Sequence, residues 1–311
     1  MIRRQGDIID VTGVNGDWCR ISPPGFSWGP QLAPGSTGLY DMPIQTNWGS
    51  YGFGQFFQSW KPKRRDVVWT VDIVNPETGT LLDQDADLWH VNYSRWKAMF
   101  SPAAEATVTY TSVDGDRTLG LRTLQSPKPF SANHFEGVDP HIFGFGSVVQ
   151  TMAAELPVYV GTPETFVWEV NHPGTFWFTL PFYNPASVDI WPEWHLTGGA
   201  VYQLPDYSFG NEAYGRGKAD KGKTVRLAGL LNDEDLDIQT RPDLETFVTS
   251  LETQFAGRMA GRDFEYPIPP GQGSSGKGCV VQANVTHSGG ARVELVLPRW
   301  YDEPFSTPRL V

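Results

Sequence analysis

Several groups of residues have types and spacings that could support chemistry. Residues 271–277, Gly-Gln-Gly-Ser-Ser-Gly-Lys, have the glycine and lysine spacing of a phosphate-binding loop. Such a loop also needs a Ser or Thr after the lysine, a strand before it and a helix after it. Here Gly278 follows the lysine, Pro269 and Pro270 precede the loop, and a strand is predicted after it. We therefore interpret this segment as a flexible hairpin loop.

Two polar clusters carry side chains that metal ions prefer. His134, Asp139 and His141 lie close together, but their spacing fits no standard zinc pattern and no cysteine accompanies them. The acidic run 232–237, Asn-Asp-Glu-Asp-Leu-Asp, has the composition of a calcium loop without its regular spacing. We interpret the first cluster as solvated surface residues and the second as a solvated turn. No metal or other cofactor is predicted.

The histidines in the second half do not predict catalysis. His172 and His195 lie in or beside predicted strands, and the sequence offers no Ser or Cys in the strand-to-helix turn that a nucleophile requires. They are interpreted as packed or hydrogen-bonded strand residues. We therefore predict that the protein is not an enzyme and has no catalytic residues.

An aromatic-rich stretch, residues 191–214, favours an alternative function in carbohydrate binding. Aromatic side chains stack on pyranose rings through apolar contact. The stretch predicts a glycan platform of four side chains: Trp191, Trp194, Tyr202 and Tyr207. The competing interpretation is that most of these rings fill the core of a β-sandwich. A carbohydrate-binding module for attachment to a cell surface thus remains open beside a purely structural role.

The composition predicts an ordered, turn-rich β protein of two domains. The 311 residues include 33 Gly, 25 Pro and 12 Trp, and aromatic residues reach 13%, whereas disordered chains have few aromatics. The net charge of −11 argues against binding nucleic acid through phosphate contacts. Cys19 and Cys279 fall one in each half and are predicted to be buried thiols. No signal peptide or membrane span is predicted.

The first half predicts a β-rich domain, residues 1–163, with one helix. Short strands are expected at both ends of this domain. A hairpin is expected around Val113-Asp-Gly-Asp116, which separates two alternating runs. A helix is predicted over residues 83–100 by an apolar stripe at three- and four-residue spacing: Trp89, Tyr93, Trp96 and Phe100.

Residues 26–54 are predicted to form a long loop, and loops of this length are usually functional. Five aromatic residues are spaced among its Gly and Pro: Trp28, Tyr40, Trp48, Tyr51 and Phe53. Two interpretations remain open, an arm that packs on a neighbouring subunit and an arm folded over its own domain. The basic run 61–65, Lys-Pro-Lys-Arg-Arg, predicts a solvated turn, or salt bridges between subunits through Arg64 and Arg65.

The second half, residues 164–311, predicts a β-sandwich of the jelly-roll type, because many short strands alternate with turns. Its opening, residues 165–198, reads as three strands. The strand from Phe176 to Pro181 places Phe, Phe and Leu on one face and Trp, Thr and Pro on the other, which is typical of a half-buried strand. Residues 245–254 suit a helix or a strand equally.

The same opening resembles a known family. Its Asn-Pro-Ala-Ser turn at 184–187, its Trp-Pro at 191–192 and its Leu-Thr-Gly-Gly end at 196–199 resemble the C-terminal domain of siphophage distal tail proteins. Residues 227–238 and 262–271 look like later strands of that domain, in the form found in minor tail proteins of phages that infect actinobacteria. The resemblance covers nearly the whole chain in element order.

The resemblance implies a structural virion protein that forms a ring, usually of six subunits, at the distal end of a long non-contractile tail. An N-terminal belt domain, residues 1–163, would form the ring, and a galectin-like sandwich, residues 164–311, would project outward. The implied partners are further copies of the chain, the tail tube protein, the tail tip or hub protein, the tape measure protein and other minor tail proteins. The ring would be assembled in the host cytoplasm, and DNA would pass through it without specific binding.

Overall fold

The computed structural model describes residues 7–23, 28–73, 86–128 and 146–305. Within these ranges the protein is mainly β, which confirms the predicted fold class. The chain divides into two compact units, residues 1–161 with 301–311, and residues 162–300. The predicted helix start at Asp83 or Asp85 and the cluster of His134, Asp139 and His141 lie outside the described residues.

The strands of the first unit pair as antiparallel neighbours in the order β2-β1-β7-β8-β9-β6-β3. The first half of β8 pairs with β7 and its second half pairs with β9, so this long strand joins two groups of strands. The strands are β1 (Ile8–Thr12), β2 (Trp18–Ser22), β3 (Pro30–Leu32), β4 (Ile44–Tyr51), β5 (Gly54–Pro62), β6 (Arg65–Ile73), β7 (Ala106–Ser112), β8 (Gly115–Lys128), β9 (Gly146–Ala154) and the start of β10 (Tyr159–Val170).

The predicted helix is confirmed as α1 (Ala86–Ala98), whose aromatic stripe packs onto β6. Trp96 is fully buried, and its ring centroid lies 6.5 Å from that of Trp69. The predicted hairpin is also confirmed, because β7 and β8 pair with Val108 opposite Leu119, and both side chains are buried. Local periodicity and one Asp-Gly turn therefore specify much of this unit.

The basic run 61–65 is solvated as predicted at its first four residues but not at Arg65. Arg65 begins β6 and is fully buried, which also excludes it as an exposed contact between subunits. Its guanidinium donates hydrogen bonds to the carbonyl oxygens of Leu39, at 3.0 Å, and Asp302. It also lies 5.0 Å from the ring centroid of Tyr159. The carbonyls and the ring replace the water that the cation loses on burial.

The last described residues, 301–305, belong with the first unit, whereas the sequence analysis places them in the second domain. The Arg117 guanidinium donates a 2.9 Å hydrogen bond to the carbonyl oxygen of Glu303. The Phe305 ring lies with its centroid 5.9 Å from that of Tyr40 and 6.0 Å from that of Tyr110. The C-terminal segment therefore completes the packing of the first unit.

The second unit is a β-sandwich whose two sheets enclose one hydrophobic core. One sheet has the strand order β16-β15-β12-β18-β10 and the other has the order β11-β17-β13-β14. The additional strands are β11 (Gly174–Tyr183), β12 (Glu193–Leu196), β13 (Ala200–Pro205), β14 (Thr224–Arg226), β15 (Leu236–Gln239), β16 (Phe247–Thr249), β17 (Gly273–Val285) and β18 (Ala291–Tyr301). The ambiguous stretch 245–254 contains β16, and a short helix α2 (Phe255–Arg258) follows it.

The acidic run 232–237 is not wholly the solvated turn that the sequence predicts, because Glu234 is fully buried. Its carboxylate accepts hydrogen bonds from Arg258 Nη1 at 2.7 Å and from the Leu231 amide at 3.0 Å. Burial alone would raise the pKa of Glu234, but the hydrogen bonds from Arg258, Thr253 and Leu231 outweigh it and hold the pKa below its ordinary value. The ion pair links the turn to α2.

Replacing Glu234 by Gln is expected to destabilise the second unit by about 1–3 kcal/mol at pH 7, because a buried hydrogen-bonding group opposite Arg258 loses its charge. The folded chain holds the Glu234 pKa below the reference value of 4.5, so the ionised carboxylate favours folding above that pH. Urea unfolding should therefore show that the difference shrinks as the pH falls below about 4.5. The exposed neighbour Asp233, changed to Asn, is the control and should alter stability by less than about 0.5 kcal/mol.

Candidate functional site

The predicted glycan platform is wrong. Trp194 and Tyr202 are fully buried in the sandwich core, and Tyr207 packs against Phe182 with ring centroids 5.9 Å apart. Trp191 is half-buried. Alternate residues of a strand point to the same face, and Trp194 and Leu196 occupy the inward positions of β12. The Trp194 ring therefore lies in the core. The structure therefore supports the competing interpretation for this stretch.

The most exposed apolar feature in the described part of the chain is a β-hairpin formed by β4 and β5. Residues 44–51 were predicted as part of a loop, and this prediction is wrong. Tyr51 pairs with Gly54, which leaves Gly52-Phe53 as a two-residue turn at the tip. Gly54 adopts a φ of 121°, which only glycine tolerates readily. At the base, the Lys63 amide donates a 2.8 Å hydrogen bond to the Pro43 carbonyl oxygen.

Large apolar side chains of the hairpin face solvent on both sides. Residues directly opposite each other in an antiparallel pair share a face, so Trp48 and Phe57 lie together, with ring centroids 5.6 Å apart. Phe53, at the tip, is 94% exposed. The other apolar side chains are between 47% and 61% exposed: Ile44, Trp48, Tyr51, Phe56, Phe57 and Trp60. A surface of this kind marks an interaction site.

The hairpin has no covering layer among the described residues, where β4 and β5 pair only with each other. For residues 44–54 this contradicts the interpretation of an arm folded over its own domain, whereas residues 28–40 of the predicted arm do pack on the first unit. A two-stranded ribbon alone is marginally stable in water. Nine residues of β5 span about 30 Å at roughly 3.4 Å per residue, so the arm is long enough to lie across another subunit.

The remaining predicted contact residues lie elsewhere. The Trp28 indole donates a 3.0 Å hydrogen bond to the Trp18 carbonyl oxygen, and the Arg95 guanidinium lies 4.5 Å from its ring centroid. Trp28 is thus held within its own unit, as is Tyr40 by the contacts with Tyr110 and Phe305. Of the five predicted aromatic residues, the hairpin brings together Trp48, Tyr51 and Phe53.

Three further rings of the hairpin, Phe56, Phe57 and Trp60, were not predicted as contact residues. Apolar and polar residues do not alternate regularly around these rings, so the segment lacks the period-2 pattern of a half-buried strand. Their signal is density: four aromatic residues occur within eight positions, 53–60, of a chain with 13% aromatic residues. A neighbouring Gly49 makes room for the Phe56 ring, since a Cβ there would lie 2.5 Å from its Cζ.

The base of the hairpin is basic. Lys61, Lys63 and Arg64 are exposed, and only Arg64 has a carboxylate partner among the described residues, Asp66 at 2.8 Å. The hydrogen bond to Asp66 raises the pKa of Arg64. Because the whole chain carries a net charge of −11, this positive base is complementary to the average surface of another copy.

A polar cleft of about 660 Å³ lies at one end of the second unit. Its charged groups already have partners, since Glu169 pairs with Arg292 at 2.9 Å and Asp235 accepts a hydrogen bond from the Gly198 amide at 3.0 Å. The described ranges contain no cluster of three or more His, Cys, Asp or Glu side chains arranged to hold a metal ion. In the same ranges, no helix is long and apolar enough to cross a membrane.

The fold is similar to the folds of a phage hub protein and of a chain of a phage baseplate. It is similar to the Dit (gp 19.1) protein of phage SPP1, a paradigm of the hub adsorption apparatus in phages that infect Gram-positive bacteria. That similarity has a TM-score of 0.57 and 11% identity over 94% of this chain and 98% of the SPP1 protein. A chain of the phage P2 baseplate, in its activated conformation with Ca, matches with a TM-score of 0.50 and 8% identity over 95% of this chain and 98% of its own.

Sequence comparison adds nothing to these fold similarities. No protein-family model matches the chain, and no curated protein matches it significantly. At 11% and 8% identity, the similarities establish a common fold and not a common function. Any function must therefore be argued from the surfaces of this chain.

Proposed function

We propose that this protein is a structural component of a phage virion that forms a ring at the distal end of a long non-contractile tail, where it joins the tail tube to the tail tip or baseplate. The observation that carries the proposal is the β4–β5 hairpin, which exposes apolar side chains on both faces. The similarity of the fold, along nearly its whole length, to the SPP1 Dit protein supports it.

The hairpin supplies the energetic basis for a closed ring. Each chain offers one arm and must receive one arm, so the contact is head-to-tail, and such contacts close into rings when the rotation between subunits is suitable. Burying a ring such as Trp48, Phe57 or Trp60 contributes about 1.5–3 kcal/mol, and all three are now about half exposed. We propose six subunits, the usual number in the family that the sequence resembles.

The two units have different proposed roles. The first unit, which carries the arm, forms the ring and stacks on the tail tube. The second unit, the β-sandwich, projects outward and holds other tip proteins, including the hub and the minor tail proteins. The net charge of −11 supports a negatively charged channel through which DNA moves without binding.

Mass photometry of the purified chain over a range of concentrations, followed by cryo-electron microscopy of the assembled species, tests the proposal. The expected result is a closed ring with an open channel, the first units innermost and each hairpin laid on its neighbour. A chain that stays monomeric at all concentrations and fails to join tails assembled in its presence would contradict the proposal. A channel lined by Arg and Lys would contradict the proposed passage of DNA.

A further inference from the structure

The outer face of the sheet β11-β17-β13-β14 carries one row of side chains that crosses all its strands. Register pairs Trp177 with Gln282, Gln282 with Gln203, and Gln203 with Arg226. Directly paired residues point to the same face. Strands are about 4.8 Å apart, so the row extends about 14 Å from an indole ring, across two amides, to a guanidinium.

The row lies on the solvent side of the sheet. Trp177 is 64% exposed, although its neighbours Phe176 and Phe178 pack against the core. Arg226 is exposed as well, and it forms no ion pair with any residue that the structure describes. A large ring kept in water at the edge of an otherwise well-packed sandwich is the kind of exposed apolar group that marks a binding surface.

The side chains around this row are neutral. The flanking positions on the same face pair Thr175 with Asn284 and Thr179 with Val280. The positions that continue this register on the four strands carry amides, hydroxyls, small apolar groups, one indole and one guanidinium, with no carboxylate: Thr175, Trp177, Thr179, Val201, Gln203, Pro205, Thr224, Arg226, Val280, Gln282 and Asn284.

Hydrogen bonds within the face hold its polar groups in place and leave others for a ligand. Gln203 Nε2 donates to Thr224 Oγ1 at 2.5 Å, and Thr175 Oγ1 donates to Asn284 Oδ1 at 3.4 Å. Each amide has two donor hydrogens and an acceptor oxygen, so each retains capacity beyond these bonds. A strand also fixes the direction of its side chains better than a loop does.

We propose that this face binds a glycan chain of neutral pyranose residues, with one sugar ring stacked on Trp177 and the following hydroxyls bonded to Gln282 and Gln203. An indole stacks on the apolar face of a pyranose ring, and amides both donate to and accept from hydroxyl groups. The single arginine is too little positive charge for a nucleic acid, whose binding depends on many phosphate contacts. Such binding would add a contact with a carbohydrate surface to the assembly role.

Biolayer interferometry of the full chain against immobilised neutral hexasaccharides of glucose, of galactose and of N-acetylglucosamine tests the proposal. Wild-type protein should bind at least one of them. Trp177→Ala should weaken that binding at least tenfold, which corresponds to about 1.4 kcal/mol, and Trp177→Phe should retain most of it. Gln282→Ala should weaken it about threefold to tenfold, as expected for one lost hydrogen bond.

Tyr214→Ala is the matched control, because Tyr214 is a similarly exposed aromatic residue of the same unit, 52% accessible, and is not on this face. It should leave glycan binding unchanged. The proposal is overturned if wild-type protein binds none of the saccharides, or if Trp177→Ala and Tyr214→Ala have equal effects. Circular dichroism of each variant distinguishes a loss of binding at this face from unfolding. The binding assay does not require the proposed ring to form.

Discussion

Replacing Trp48, Phe57 and Trp60 together by Ser is expected to abolish self-assembly and to leave the monomer folded. The three side chains are exposed by 51–54% and lie on one face of the hairpin. In the proposed ring they become buried against the next subunit, where aromatic residues contribute about 2 kcal/mol or more each. Even with incomplete additivity, the association constant should fall at least about 1,000-fold, at about 1.4 kcal/mol per tenfold.

Mass photometry gives the oligomeric state, and thermal unfolding gives the stability of the monomer. Exposed substitutions usually change stability by less than about 0.5 kcal/mol, so the unfolding temperature should change little. The matched control replaces three exposed aliphatic residues away from the hairpin, Val91, Val113 and Leu251, by Ser. The control should assemble like the wild type. If both variants assemble normally, the hairpin does not carry the ring.

Arg65→Met is expected to destabilise the first unit by about 3–5 kcal/mol. The substitution removes the Arg65 donor from the carbonyl oxygens of Asp302 and Leu39, although Leu39 keeps a 2.9 Å hydrogen bond from the Tyr159 hydroxyl. Hydrogen bonds to a charged group contribute about 1.5–3 kcal/mol each. The substitution also removes the cation from the ring of Tyr159, 5.0 Å away. The C-terminal segment loses one of its attachments, so its amides should exchange faster with solvent.

Chemical denaturation measures the loss of stability, and hydrogen exchange measures the release of residues 301–305. Arg64→Met is the control, since Arg64 is adjacent in sequence and its side chain is 54% exposed. An exposed ion pair such as that with Asp66 is screened by solvent and adds little to stability, so Arg64→Met should leave the unfolding free energy nearly unchanged. Equal effects of the two substitutions would show that the Arg65 contacts are unimportant for stability.

Local sequence signals were sufficient where burial follows a regular period. The aromatic stripe of α1 and the Asp-Gly turn between β7 and β8 each depend on residues within about ten positions, and both are confirmed. The hairpin β4–β5 could not be predicted in this way. It is exposed on both faces, so neither face shows the alternation that burial produces.

The burial of two charged residues was also not predicted from the sequence. Arg65 lies in a basic run and Glu234 in an acidic run, and both were predicted to be solvated. Their partners are Asp302, 237 positions away, and Arg258, 24 positions away. A charged residue is buried only where distant segments supply partners, and the composition of its own run contains no information on them.

The alternation of side chains along a strand explains both why the predicted aromatic platform is wrong and why Trp177 faces solvent. Trp194 and Tyr202 share the phase of buried Leu196 and Leu204, so they point into the sandwich. Trp177 is out of phase with its two Phe neighbours and points outward. The alternation is visible in the sequence, but it does not show that the outward side chains have a role. Whether an aromatic residue occupies an inward or an outward position of its strand predicts its exposure better than the local density of aromatic residues does.

Because residues 301–305 pack on the first unit, the packing of that unit is completed late during translation. Arg65 leaves the ribosome 237 residues before Asp302, the residue whose carbonyl it binds. At about 5–20 residues per second, the interval is roughly 10–50 s. Throughout that interval the first unit lacks part of its packing, although its aromatic arm has already been made. The growing chain therefore completes the packing of its arm-bearing unit only after residues 301–305 have been synthesised, long after the arm itself.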